Sequence, residues 1–107
     1  MKQINITEGI NVGGFHYKVD MSEEAHRMLL SEANYGHCDG RNKIIRIDKG
    51  ESEAENSETF IHEMLEAVNK TYCTSKLDHD LLSQISCGIH QVMEGLKVRF
   101  GNFPEEN

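Results

Sequence analysis

Between residues 60 and 68 the apolar side chains follow one rule: Phe60, Ile61, Met64, Leu65 and Val68 recur at i, i+1, i+4, i+5 and i+8. This is the spacing of one face of an α-helix, and it does not fit the two-residue repeat of a half-buried strand. The stripe must be buried, so a helix in the second half of the chain packs on a core. A chain of 107 residues can enclose one such core and not two. The sequence therefore predicts a single domain over 1–100, followed by a frayed tail over 101–107, "GNFPEEN".

The flanking segments supply what the stripe packs against. Ser52 with Glu55 three residues on is a capping box that starts the central helix, and "CTSK" at 73–76 breaks it. Asp78 is a good N-cap for a last helix, whose apolar face runs through Leu81, Leu82, Ile85, Ile89, Val92, Met93 and Leu96. Upstream, "QINITEGINVGGFHYKVDM" reads as strand, turn, strand, with Phe15, Tyr17 and Val19 alternating with His16 and Lys18. A helix over about 22–33 follows, with Asp20 and Glu23 spaced as a capping box. "YGHCDGRNKIIRID" then reads as a hairpin about Asp39-Gly40. The expected fold is α+β: a small antiparallel or mixed sheet, one N-terminal helix and two long C-terminal helices.

Composition narrows the function classes. The net charge is −7 and no Lys/Arg cluster interrupts it, which argues against a nucleic-acid partner. The apolar runs are only a few residues long, so no membrane span is expected, and "MKQINITEGI" lacks the apolar region of a secretory signal. The three cysteines, Cys38, Cys73 and Cys87, form no Cys-x-x-Cys pair and fit reduced thiols in a cytoplasm.

The central helix also carries "IHEMLE", a His-Glu-x-x-Glu sequence made by His62, Glu63 and Glu66. It differs by one residue from His-Glu-x-x-His, the zinc-peptidase signature. Residues four apart share a helix face, so His62 and Glu66 can point at one spot, each offering an atom suited to a metal. Glu63 stands where that signature keeps its general base. A catalytic ion needs a third protein ligand, and His79, His90 and Cys87 are the candidates. If the central helix runs on to Tyr72 and its neighbour is antiparallel, His90 comes level with His62. If the helix ends early or the crossing is steep, His79 is nearer. His16, His26 and His37 fall on predicted surfaces and read as structural or exposed. Without a metal, the acidic residues merely solubilise the helix, and the helix pair serves as an oligomerisation or partner surface.

From about Gly36 to Leu96, the run "GHCDGRNKIIRID", "ETFIHEMLEAVN", "LDHDLLSQI" and "GIHQVMEGL" resembles a group of small phage and prophage proteins. These look like reduced members of the zincin metallopeptidases, in the gluzincin-like, ImmA/IrrE-related superfamily. The resemblance implies a minimal zincin-like fold, zinc held by His62, Glu66 and His79, and Glu63 as the base that activates water toward a peptide carbonyl. It further implies a peptide or protein substrate, held along an edge strand at 43–48 or 14–20, and a bacterial host-cell cytoplasm. The departure is Glu66, where a second histidine is usual. A carboxylate ligand makes the ion a weaker Lewis acid, so the alternative is an inactive metal-binding or protein-interaction module of the same fold. The oligomeric state is left open.

Overall fold

In the computed structural model, which describes residues 1–104, the chain runs β1 (Lys2–Asn5), β2 (Ile10–Val12), β3 (Phe15–Asp20), α1 (Glu23–Ser31), β4 (Gly36–Asp39), β5 (Ile44–Ile47), α2 (Glu53–Tyr72), α3 (His79–Gly95) and β6 (Val98–Gly101). Four strands form a mixed sheet in the order β2-β3-β5-β4. Its outer pairs are antiparallel and the central pair β3–β5 is parallel. β1 and β6 form a second, two-stranded parallel sheet. The architecture is the expected α+β class. Among the described residues, no helix is long and apolar enough to cross a membrane.

α2 is the pillar. Ser52 Oγ accepts the Glu55 N–H at 3.2 Å and donates to the Glu55 carboxylate at 2.9 Å, so the capping pair forms. Glu53 and Glu55 lie at the positive end of the helix dipole and Lys70 at the negative end. Phe60, Ile61 and Ala67 are fully buried, with Met64 and Val68 packed at the margin of the core. Tyr17, Ile45 and Ile47 meet this face from the sheet. At α3, Asp78 caps as expected, accepting the Leu81 N–H at 2.8 Å.

Three differences from the sequence expectation have physical causes. The N-cap of α1 is Ser22, which accepts the Ala25 N–H, while Asp20 accepts the Ser22 N–H one step earlier. The helix stops at Ser31, and Ala33, expected on its apolar face, lies beyond it with φ 56°. Secondly, Val98–Gly101 is a strand, where residues from Gly101 on were expected to fray and nothing was expected before them. Val98, Arg99 and Phe100 alternate apolar and charged, but over three positions, too short a run to announce a strand. It forms because Phe100 and Phe103 close over Phe60, with ring centroids at 4.8 and 6.2 Å, and because Ser57 Oγ accepts the Phe100 N–H at 3.0 Å. The last three residues of the expected tail lie outside the described residues. Thirdly, α3 buries only Leu82 and Ser86. Leu81, Ile85, Val92 and Leu96, expected on its core face, are exposed.

Phe60 joins the sheet, α2 and the C-terminal strand. Phe60→Ala is expected to cost about 3–5 kcal/mol of stability, as aromatic truncation in a core does. Urea unfolding monitored by circular dichroism checks this, and a loss below about 1 kcal/mol would mean that the site collapses around the gap.

Candidate metal site

His62 and Glu66 stand one turn apart on α2, and His79 is the first residue of α3. Each offers one ligand atom, and these atoms all lie within 4.8 Å of one another. The two imidazole rings are 5.1 Å apart at their centroids and close to edge-on. A tetrahedral ion with ligand bonds of about 2.1 Å separates its donors by about 3.4 Å, so small side-chain rotations bring the three to an ion. Two imidazoles and a carboxylate are a donor set for zinc, and for other divalent metals compatible with nitrogen and oxygen.

The surroundings favour the ligand form of His62. Burial and the neighbouring His79 push its pKa down, against an upward pull from Glu66. The ring is then neutral, with a lone pair free for a metal. Ser86 Oγ lies 3.5 Å from His62 Nδ1 and donates its single proton to the Ser83 carbonyl at 2.9 Å. Toward His62 the hydroxyl can only accept, which favours the Nδ1–H tautomer and leaves the lone pair on Nε2.

The position of His79 is set by a residue outside the motif. Buried Asn69 accepts the Leu77 N–H at 3.0 Å and donates to the Leu77 carbonyl at 3.2 Å. Lys76 Nζ donates to the Asn69 and Lys70 carbonyls, 3.0 Å each, satisfying the open C-terminal end of α2. The connection is thus folded back on α2, and α3 starts beside Glu66. An asparagine near a helix end, eight residues before a leucine, is too common a pattern to have announced this clamp.

Glu63 is not the solvated charge that the metal-free reading expects. It is 7% exposed and lines a cavity of about 230 Å³ together with Asn34, Tyr35, Gly36, Thr59, His62 and His79. Burial, aided by the Glu66 carboxylate and opposed by Lys70, pushes its pKa up to about 7. The carboxyl therefore exchanges its proton near neutral pH, the range useful to a general base. Gly36 makes this packing possible. A Cβ there would lie 2.5 Å from Thr59 Cγ2 and 3.0 Å from Glu63 Oε2. β4 can approach α2 only without a side chain at that position.

Other candidates are not part of the cluster. His90 is outside it, with a buried Nδ1 that has no hydrogen-bond partner among the described residues. Cys87 Sγ donates to Glu58 at 3.1 Å instead. Cys38 is buried, which raises its thiol to about 11 and makes it a poor nucleophile. His16 contacts Asn11 and His26 contacts Asp48, at 2.8 and 2.7 Å between side-chain atoms. His37 has a buried Nδ1 without a hydrogen-bond partner among the described residues. The strands expected to offer a free edge do not: β5 (44–47) lies between β3 and β4, and β3 (15–20) between β2 and β5. Parallel pairing of β3 with β5 placed both inside the sheet. The edge strand beside the cavity is β4, whose Cys38 carbonyl accepts from Lys70 Nζ at 3.0 Å.

Comparison with known proteins returns no matching family model, no matching curated protein and no matching solved structure.

In the metal-free protein, Glu63 links stability to pH. Its folded pKa is near 7 against an ordinary 4.5. Between those values the native state keeps a proton that the unfolded chain has released, so stability falls as pH rises through the window. The loss is on the order of 3 kcal/mol at most, from the size of the shift. Glu63→Gln is expected to flatten the profile between about pH 4.5 and 7 in urea unfolding of chelator-treated protein. Identical profiles for both proteins would remove the burial argument.

Proposed function

We propose that this chain is a minimal zincin-like, zinc-dependent hydrolase of the phage or prophage type that its sequence resembles, acting on a peptide bond. The observation that carries the reading is the convergence of His62, Glu66 and His79 at the edge of a cavity lined by the buried Glu63. Zinc bound by the three residues supplies Lewis-acid polarisation and a nucleophilic water at neutral pH. Glu63, buried beside that site, is placed to take a proton from the attacking water and pass it to the leaving amine. The cavity, about 230 Å³, admits one side chain of a substrate rather than a long stretch. The outer edge of β4, where among the described residues only the Cys38 carbonyl is seen to be taken, by Lys70, supports the rest of an extended peptide through main-chain hydrogen bonds.

The carboxylate of Glu66 favours a second reading. It stands where the signature has a histidine, so the order of donors departs from the pattern even though the set, two imidazoles and one carboxylate, occurs in catalytic zinc sites. The same three residues then serve a metal-holding interaction module without turnover.

Metal analysis of protein purified without chelators separates the readings. One zinc per chain is expected in the wild type, with most of it lost in Glu66→Ala. Glu63→Gln is expected to keep its zinc and to lower peptide hydrolysis by about 10²–10⁴-fold. Zinc without hydrolysis in the wild type selects the module. Protein free of zinc, or equal zinc in the wild type and Glu66→Ala, ends the ligand assignment.

A further inference from the structure

The flank of α3 that turns away from the core is apolar and uncovered. Leu81, Ile85, Val92 and Leu96 are 42, 38, 63 and 70% exposed. An added Cβ at Gly88 or Gly95 would meet nothing within 4 Å. These positions follow one another every three to four residues, and so run as a stripe along one side of the helix. From Leu81 to Met93 there is no Asp, Glu, Lys or Arg, in a chain where 27% of residues are charged. Apolar side chains with charge excluded are the composition of an interface core, not of a solvated face.

We propose that α3 is the interface of a symmetric homodimer, with two copies packed antiparallel about a two-fold axis between Gly88 and Ile89. That axis sets Leu81 opposite the partner's Leu96, Ile85 opposite the partner's Val92, and Gly88 opposite the partner's Ile89. Each large residue meets another apolar residue or the gap above a glycine, so the stripe is complementary to itself, as a two-fold interface requires. Charge identifies the occupant as a second copy. With a net charge of −7, most faces of the molecule repel another copy, while this flank is neutral. At its ends, exposed Asp78 and Asp80 of one copy come toward exposed Lys97 of the other, twice by symmetry. Parallel packing would instead set acid on acid and base on base.

The size of the patch sets the strength. α3 has 17 residues, and so is about 25 Å long. One helix face of that length covers less than the roughly 800 Å² per partner of a standard stable interface. An interface below the standard size is expected of a concentration-dependent dimer rather than a permanent one, and a Kd of about 1 μM corresponds to about 8 kcal/mol.

Sedimentation velocity on the full chain from about 1 to about 300 μM tests this, a range that brackets a micromolar Kd. The wild type is expected to shift from monomer to dimer. Val92→Glu, placed at a 63% exposed position, is expected to weaken the dimer at least about tenfold while leaving circular dichroism and metal content unchanged. Asp80→Lys should weaken it as well, and Asp80→Lys combined with Lys97→Asp should restore it. A wild type that stays monomeric throughout overturns the proposal and leaves the flank to a different partner. So does a dimer that Val92→Glu leaves intact, or a charge swap without rescue. None of these outcomes depends on whether the metal site is catalytic.

Discussion

Everything in this protein leans on α2. One side of the helix fills the space between the four-stranded sheet, the β1–β6 pair and α3, with Phe60 and Ile61 fully enclosed. Burying two such side chains contributes roughly 1.5–3 kcal/mol each, more than a typical hydrogen bond gives. That burial fixes the rotation of the helix about its axis. Rotation in turn decides that His62 and Glu66 emerge toward α3 and that Glu63 is held under β4. The core and the site are therefore one constraint seen from two sides: a helix anchored less firmly would not hold two candidate ligands in register with a third on another element.

The site also shows how a short chain brings three candidate ligands together. Two come from one helix turn, so their spacing is set by α-helical geometry alone. The third is delivered by a tight connection whose polar groups are satisfied by Asn69 and Lys76. Gly36 then allows β4 to close on Glu63, and the resulting desolvation, aided by the Glu66 carboxylate, raises its carboxyl. Low accessibility and the nearby Glu66 act in the same direction, so one packing event tunes the group.

The two sides of α3 divide structure from surface. Leu82 and Ser86 face α2, and Ser86 reaches His62, so the inner side belongs to the core and the site. The outer flank keeps its apolar residues without covering them. From the pattern alone, all seven apolar positions of this helix look like core residues, because periodicity reports that a face is apolar but not how wide a neighbour is available to bury it. The small sheet and a single helix partner can cover only part of that arc.

Much of the chain was legible before any coordinates. The α2 stripe, the caps at Ser52 and Asp78, the hairpin about Asp39-Gly40 and the α+β class follow from local rules: helix period, side-chain-to-backbone capping and turn chemistry act within a few residues. The shared face of His62 and Glu66 is local in the same sense. The choice between His79 and His90 was not, because the helix direction after 73–78 depends on where the polar groups of that connection find partners. The β6 strand, the inward position of β5, the burial of Glu63 against Gly36 and the uncovered flank of α3 are likewise products of packing between residues distant in sequence. Sequence by itself determined the helices, most of the strands and which residues could hold a metal. Only the tertiary structure decided which of those residues meet, because a meeting requires two elements to be buried against each other, and burial is a property of the whole chain.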